Sequence, residues 1–209
     1  MNEYEILFTL FSKYEKPRAF QTCECCINTD EMKRLLSINL KQLSAEDLSE
    51  YASSVFLTVG SKRDFQYFFP RIFQLALEQK FDWPDQAIVF RAINISGWNS
   101  WNTEERNVVI NLTRLKFKSL LKGGDGSQID ELLCAISHIE KDLSHYLTGL
   151  KNSSGAAFNS FIDWNANSYT KGKLSGFWED SPEQAKQVMS WMRNDRASTF
   201  LFSKYGMKI

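Results

Sequence analysis

The chain is 209 residues long, 43% apolar and 24% charged, with 16 Phe, 7 Tyr and 6 Trp. That is the make-up of a globular protein whose core is rich in rings. Its 25 basic and 25 acidic residues cancel, so no long-range field gathers nucleic acid or an anionic membrane surface, and no apolar run reaches the roughly 20 residues that span a bilayer.

Glu3 and Glu5 stand where a secretory signal carries bases, which predicts a cytosolic chain with reduced thiols. The first helical pattern runs from about Asn2 to Lys16, with Ile6, Leu7, Leu10, Phe11 and Tyr14 at helical spacing and Pro17 as its stop. Phe20-Gln21-Thr22-Cys23-Glu24-Cys25-Cys26 follows as a break between helices. Asn28 with Glu31 forms a capping box for a short helix through Leu36.

Ser44 opens the next pattern, whose apolar stripe from Leu48 through Val55 and Phe56 to Val59 closes at Gly60. Ser61 and Asp64 start another, with Phe65, Phe68, Phe69, Ile72 and Phe73 inward. Pro70 lies inside it, and an interior proline costs about 3 kcal/mol, so the expectation is a break near Phe69 and a new helix. Arg71 is expected to pair with a buried acid such as Asp64.

Asp82-Trp83-Pro84-Asp85 caps a helix carrying Ile88, Val89, Ala92 and Ile93. Gly97-Trp98-Asn99-Ser100-Trp101 is a turn, and Asn102 with Glu105 caps the helix that runs to about Lys122. Gly123-Gly124-Asp125-Gly126 marks a loop and a candidate subdomain boundary within a single helical domain.

Ile129, Leu132, Ile136, Ile139, Leu143, Tyr146 and Leu150 then alternate spacings of three and four, which predicts one long helix over 127–151. A helix with Ala157, Phe158, Phe161 and Ile162 follows, then a loop through Gly172, Gly176 and Pro182. Ser181-Pro182 begins the penultimate helix, and the last one carries Phe200, Leu201 and Tyr205. No segment alternates as a strand does. The predicted fold is all-α, about ten helices in antiparallel hairpins, arranged as an irregular bundle or a curved helical stack.

Several stretches together carry a likeness: Cys-x-Cys-Cys at Cys23, Cys25 and Cys26, Thr58-Val59-Gly60, Asp64-Phe65-x-Tyr67-Phe68-Phe69-Pro70-Arg71-Ile72, Gly97-Trp98-x-x-Trp101 and Phe177-Trp178. Over most of its length the chain resembles a family of uncharacterised bacterial cytosolic proteins. The resemblance implies a single bacterial protein of that kind and carries over no activity, cofactor or catalytic residue.

Cys23 and Cys26 have a Cys-x-x-Cys spacing, and with Cys25 they are the candidate zinc or thiol centre. A closed zinc site takes four ligands and no second such pair follows, so buried or solvated thiols are the preferred reading and no cofactor is expected. Cys134 and His138, four apart, share a helix face that reads as a solvated or second-layer side, with His145 too far along the axis to join them. There is no nucleophile elbow, phosphate loop or His-Glu-x-x-His. Carboxylate pairs such as Glu104/Glu105 and Glu179/Asp180 sit where acids favour helix starts or loops.

Trp98, Trp101 and Trp178 are the candidate partner-facing residues, against a reading in which they cover the end of a core. The functional expectation is a non-enzymatic protein-binding helical protein, in one form an immunity or antitoxin protein. The alternative is a zinc- or thiol-dependent protein using Cys23 and Cys26, and a helical hydrolase with carboxylate chemistry comes third.

Overall fold

The computed structural model describes residues 3–23, 26–153 and 155–206, and among them it holds twelve α-helices, three single 3-10 turns and no strand. The fold is all-α. The chain divides into two units, residues 1–113 and 114–209. The division falls within a helix rather than at the Gly123–Gly126 loop.

The first unit contains α1 (Glu5–Phe11), α2 (Thr29–Ser37), α3 (Ala45–Ser54), α4 (Lys62–Leu77), α5 (Gln86–Ile95) and the start of α6 (Thr103–Leu120). Local chemistry starts most of them. The Asn28/Glu31, Ser44/Asp47 and Ser61/Asp64 pairs each form a reciprocal capping box, and Asp85 caps α5 through the Ile88 amide. Asn102 and Glu105 do the same for α6, with Asn102 Oδ1 accepting from the Glu104 amide and Glu105 Oε2 from the Asn102 amide. Each satisfies backbone donors that a helix start leaves open.

α1 is shorter than the pattern over 2–16 predicts. α3 stops at Ser54, because Val55 turns extended and Phe56 takes φ 66°. Val55 and Val59 then bridge to one another, and Val59 bridges to Thr22. The predicted stripe was real, but its last members point inward from a turn.

α4 corrects the expectation at Pro70, since it runs unbroken through the proline. Pro70 forfeits one backbone bond, yet Phe65, Phe68, Phe69 and Phe73 are all fully buried beside it. At about 2 kcal/mol or more per buried ring, their stripe outweighs a cost of about 3 kcal/mol. The rings of Phe11, Phe69 and Trp101 meet at 4.9 to 5.4 Å, with Phe65 and Phe73 flanking Phe69 on α4. Arg71 also departs from expectation. It donates to the Leu43 carbonyl at 2.7 Å and to Gln74 Oε1 at 2.9 Å, while Asp64 serves the Ser61 cap.

The second unit contains the end of α6 and α7 (Gly126–Ser137), α8 (Ser144–Lys151), α9 (Gly155–Trp164), α10 (Ala166–Lys171), α11 (Pro182–Met192) and α12 (Asp195–Tyr205). The single helix predicted over 127–151 is two. After Ser137 the chain tightens, with the Ile139 amide on the Ile136 carbonyl, and it restarts at Ser144. Gln187 from α11 holds the break open, accepting from the Leu143 amide at 3.0 Å and donating to Asp142 Oδ1 at 2.8 Å. Hydrogen bonds from Ser144 and Gln187 pull the Asp142 carboxyl down to about 2, which keeps that restart charged. α10 was unforeseen between the helix carrying Ile162 and the loop at Gly172.

α7 and α9 pack backbone to backbone. The Gly126 amide donates to Ser160 Oγ at 2.8 Å, and a Cβ at Gly126 would overlap the Ser160 carbonyl. Glycine is required there by space.

Candidate functional site

The second unit gathers its polar chemistry around one buried acid. Asp130 and Cys134 lie one turn apart on α7, so both face the same side of the helix. Asp130 is 6% exposed. It accepts from Asn165 Nδ2 at 3.2 Å, just past the end of α9, and Asn165 is itself buried. Cys134 Sγ reaches the Phe177 carbonyl at 3.2 Å, which ties α7 to the 3-10 turn at Gly176–Trp178.

Trp178 follows, 2% exposed, and its indole nitrogen has no hydrogen-bond partner among the described residues. The same N–H nonetheless acts on the Asp130 carboxyl, as does the Trp164 indole. Burial drives the Asp130 carboxyl up to about 6, and these donors offset part of that rise. Asp130 therefore changes charge in a range where ordinary carboxyls are fully ionised.

On the outer side of Trp178 lies a groove of about 360 Å³. Leu174, Trp178, Ala185 and Met189 contribute its apolar lining, and Lys173, Lys186 and Glu179 its charge. Phe177 and Trp164, next to the buried cluster in sequence, are 64% and 59% exposed. The volume is that of a small-ligand or side-chain pocket. A smaller hollow of about 210 Å³ between α2 and α3 has acids on its wall, and its one cation, Arg34, is bound to Asp47 at 2.7 Å. The larger groove couples to a buried polar cluster and the smaller one does not, so the larger is the stronger candidate.

The tryptophans offered as partner-facing residues are placed inward. Trp98 and Trp101 are each 4% exposed, in ring contact at 5.4 Å, and the Trp101 indole donates to Ser96 Oγ at 3.0 Å. They cover the aromatic core of the first unit. Trp178 lines the larger groove.

The cysteine stretch is an elbow. The Cys26 and Ile27 amides both bond to the Cys23 carbonyl, at 2.8 and 3.1 Å, closing a tight turn. The Cys23 amide bonds to the Thr58 carbonyl and the Gly60 amide to the Gln21 carbonyl, at 3.1 and 2.7 Å. Phe20 and Ile27 point into the core on either side. Cys23 is exposed, and Cys26 is half-buried with Sγ 3.0 Å from Thr58 Oγ1. Cys25 lies outside the described residues. Among the described residues no three His, Cys, Asp or Glu side chains converge as metal ligands. Cys134 is buried against Phe177 and His138 is the C-cap of α7, so the face they were expected to share is covered at Cys134 rather than solvated.

Asp130 and Asn165 were missed by sequence reasoning. The available signal was an acid set between Ile129 and Leu132-Leu133, in the buried register of an apolar helix. No helix among the described residues is long and apolar enough to cross a membrane. No protein-family model, curated protein or solved structure matches the chain.

Proposed function

We propose that this is a non-enzymatic protein-binding protein, and that the groove beside Trp178 takes an apolar side chain from an acidic segment of a protein partner. The groove is the observation that carries the reading. Leu174, Trp178, Ala185 and Met189 line it, and its volume suits one large side chain. The choice of an acidic partner follows from charge. Residues 114–209 hold thirteen Lys and Arg against ten Asp and Glu, with Lys173 and Lys186 at the groove itself. Complementary charge speeds and orients docking more than it deepens affinity.

The reading is tested with a photo-crosslinking residue at Ala185 in the native host at endogenous level, followed by binding of the captured protein in purified form. Met189→Glu is expected to weaken that binding at least about tenfold, the scale of a lost buried anchor. A captured protein that binds Met189→Glu as tightly as the parent defeats the proposal. An immunity or antitoxin protein is one form of it, in which the captured protein is a toxin whose activity falls on binding. The alternative, a zinc or thiol protein, is supported by the tight turn that sets Cys23 and Cys26 on one loop.

A further inference from the structure

Thr58 touches both members of the Cys-x-x-Cys pair. Its carbonyl accepts from the Cys23 amide at 3.1 Å, and its hydroxyl oxygen lies 3.0 Å from Cys26 Sγ. The residues around Thr58 are braced to the same stretch, since the Gly60 amide bonds to the Gln21 carbonyl at 2.7 Å and Val59 bridges to Thr22. The Cys23 carbonyl accepts from the Cys26 and Ile27 amides at 2.8 and 3.1 Å, the bonding of one helical turn. Residues three apart on such a turn hold their Cβ atoms about 5 to 6 Å apart, and a disulfide takes them at about 4 Å. A shift of about 2 Å at an exposed turn closes that gap. Exposure separates the roles of the two thiols. Cys23 is exposed and meets a disulfide from solution first, while Cys26 is half-buried against Thr58.

We propose that Cys23 and Cys26 form a thiol–disulfide exchange site for small disulfides, with Cys23 the attacking thiol and Cys26 the thiol that resolves the mixed disulfide. This rests on the thiol form of the alternative reading and is independent of the docking groove. Cys23 Sγ, as the thiolate, attacks one sulfur of the small disulfide, whose S–S bond breaks and releases the first small thiolate. Cys26 Sγ then gives its proton to water and attacks Cys23 Sγ, so the mixed disulfide breaks and the second small thiolate leaves. The chain loses two electrons and two protons, and the small disulfide takes them up as two thiols. Cys26 Sγ leaves Thr58 Oγ1 in the second step, which makes the Thr58 hydroxyl a positioning group for that step alone.

The site is tested on the full chain in a Cys25→Ser background with the aromatic disulfide dithiobisnitrobenzoate, by following release of the coloured thiolate. Two equivalents are expected from the folded chain, Cys134 being buried. The first phase should scale with reagent concentration, and the second should ignore it over about a tenfold range because its step is intramolecular. The product should be lighter by two hydrogens, carry no reagent, and return to the starting mass with excess dithiothreitol. Cys26→Ser in the same background should release one equivalent and retain the reagent. Thr58→Val, close in shape, should slow the second phase about tenfold and spare the first. A second phase that scales with reagent, or a product with reagent on both sulfurs, overturns the exchange site. Near-stoichiometric zinc on a chain that yields no internal disulfide also overturns it, and leaves the zinc form of the alternative standing.

Discussion

The Tyr14 hydroxyl donates to Glu105 Oε1 at 2.7 Å across 91 positions of sequence. Lys13 Nζ closes on the same oxygen at 2.7 Å, and Gln66 Nε2 donates to the Tyr14 hydroxyl at 3.1 Å. Glu105 is 1% exposed and also caps α6, so one carboxyl joins the segment after α1 to the starts of α4 and α6. Burial, then the Glu105 bond, pushes the Tyr14 hydroxyl well above its ordinary pKa, which keeps it a donor throughout the neutral range.

Glu105→Ala should therefore destabilise the chain by about 2 kcal/mol, the sum expected for a lost cap and a buried acceptor. Glu105→Gln should cost roughly half as much, because its amide oxygen can still accept. Urea denaturation reads both. Equal losses for the two variants would place the effect in packing rather than hydrogen bonding.

Asp130 gives stability a pH dependence of definite sign. Its folded-state pKa, about 6, lies above the ordinary value of 3.8, so between those values the folded chain binds more protons than the unfolded one. The contribution is complete below about pH 4 and is lost as pH rises through 6, a swing on the order of 3 kcal/mol. Asp130→Asn should flatten the Tm profile across that window and melt above the parent at pH 8. A parent profile that climbs from pH 4 to 7 by the same margin through this residue contradicts the assignment.

Gly126→Ala should destabilise the second unit by about 3 kcal/mol, the upper range for forced overpacking, because the new methyl meets the Ser160 backbone and not a movable side chain. Gly155→Ala is the control, since its added carbon meets nothing nearer than Arg196 Nη2 at 4.0 Å. Thermal melts that rank the two alike would contradict the close approach of α7 and α9.

Thiol chemistry separates the cysteines. In a Cys25→Ser background, Cys23 should react with an aromatic disulfide reagent within seconds to minutes, Cys26 more slowly, and Cys134 only on unfolding, in the order of their exposure. Elemental analysis of chain purified without chelator is expected to return zinc far below one equivalent. Near-stoichiometric zinc that disappears in Cys23→Ser would move the function to the alternative reading.

Helix starts were the legible part of this fold. Asn28 with Glu31, Ser61 with Asp64 and Asn102 with Glu105 each decide a boundary within four residues, so the sequence displays them directly. What it hides is settled at long range. The interruption after Ser137 depends on Gln187, Pro70 is tolerated because the α4 rings pack against Phe11 and Trp101, and Arg71 finds the Leu43 carbonyl rather than an acid. The candidate site divides the same way. Trp178 drew notice as a ring in a glycine-rich loop, while Asp130 became interesting only once Asn165 and the indoles had folded around it.

The cysteine elbow ties the surface at Cys26 to the turn beside it. Cys26 Sγ rests on Thr58, the Thr58 carbonyl holds the Cys23 amide, and Val59 next door is buried in the core. An adduct on Cys26 is therefore expected to disturb its contact with Thr58 and, through it, the turn that sets Gly60 beside Tyr51.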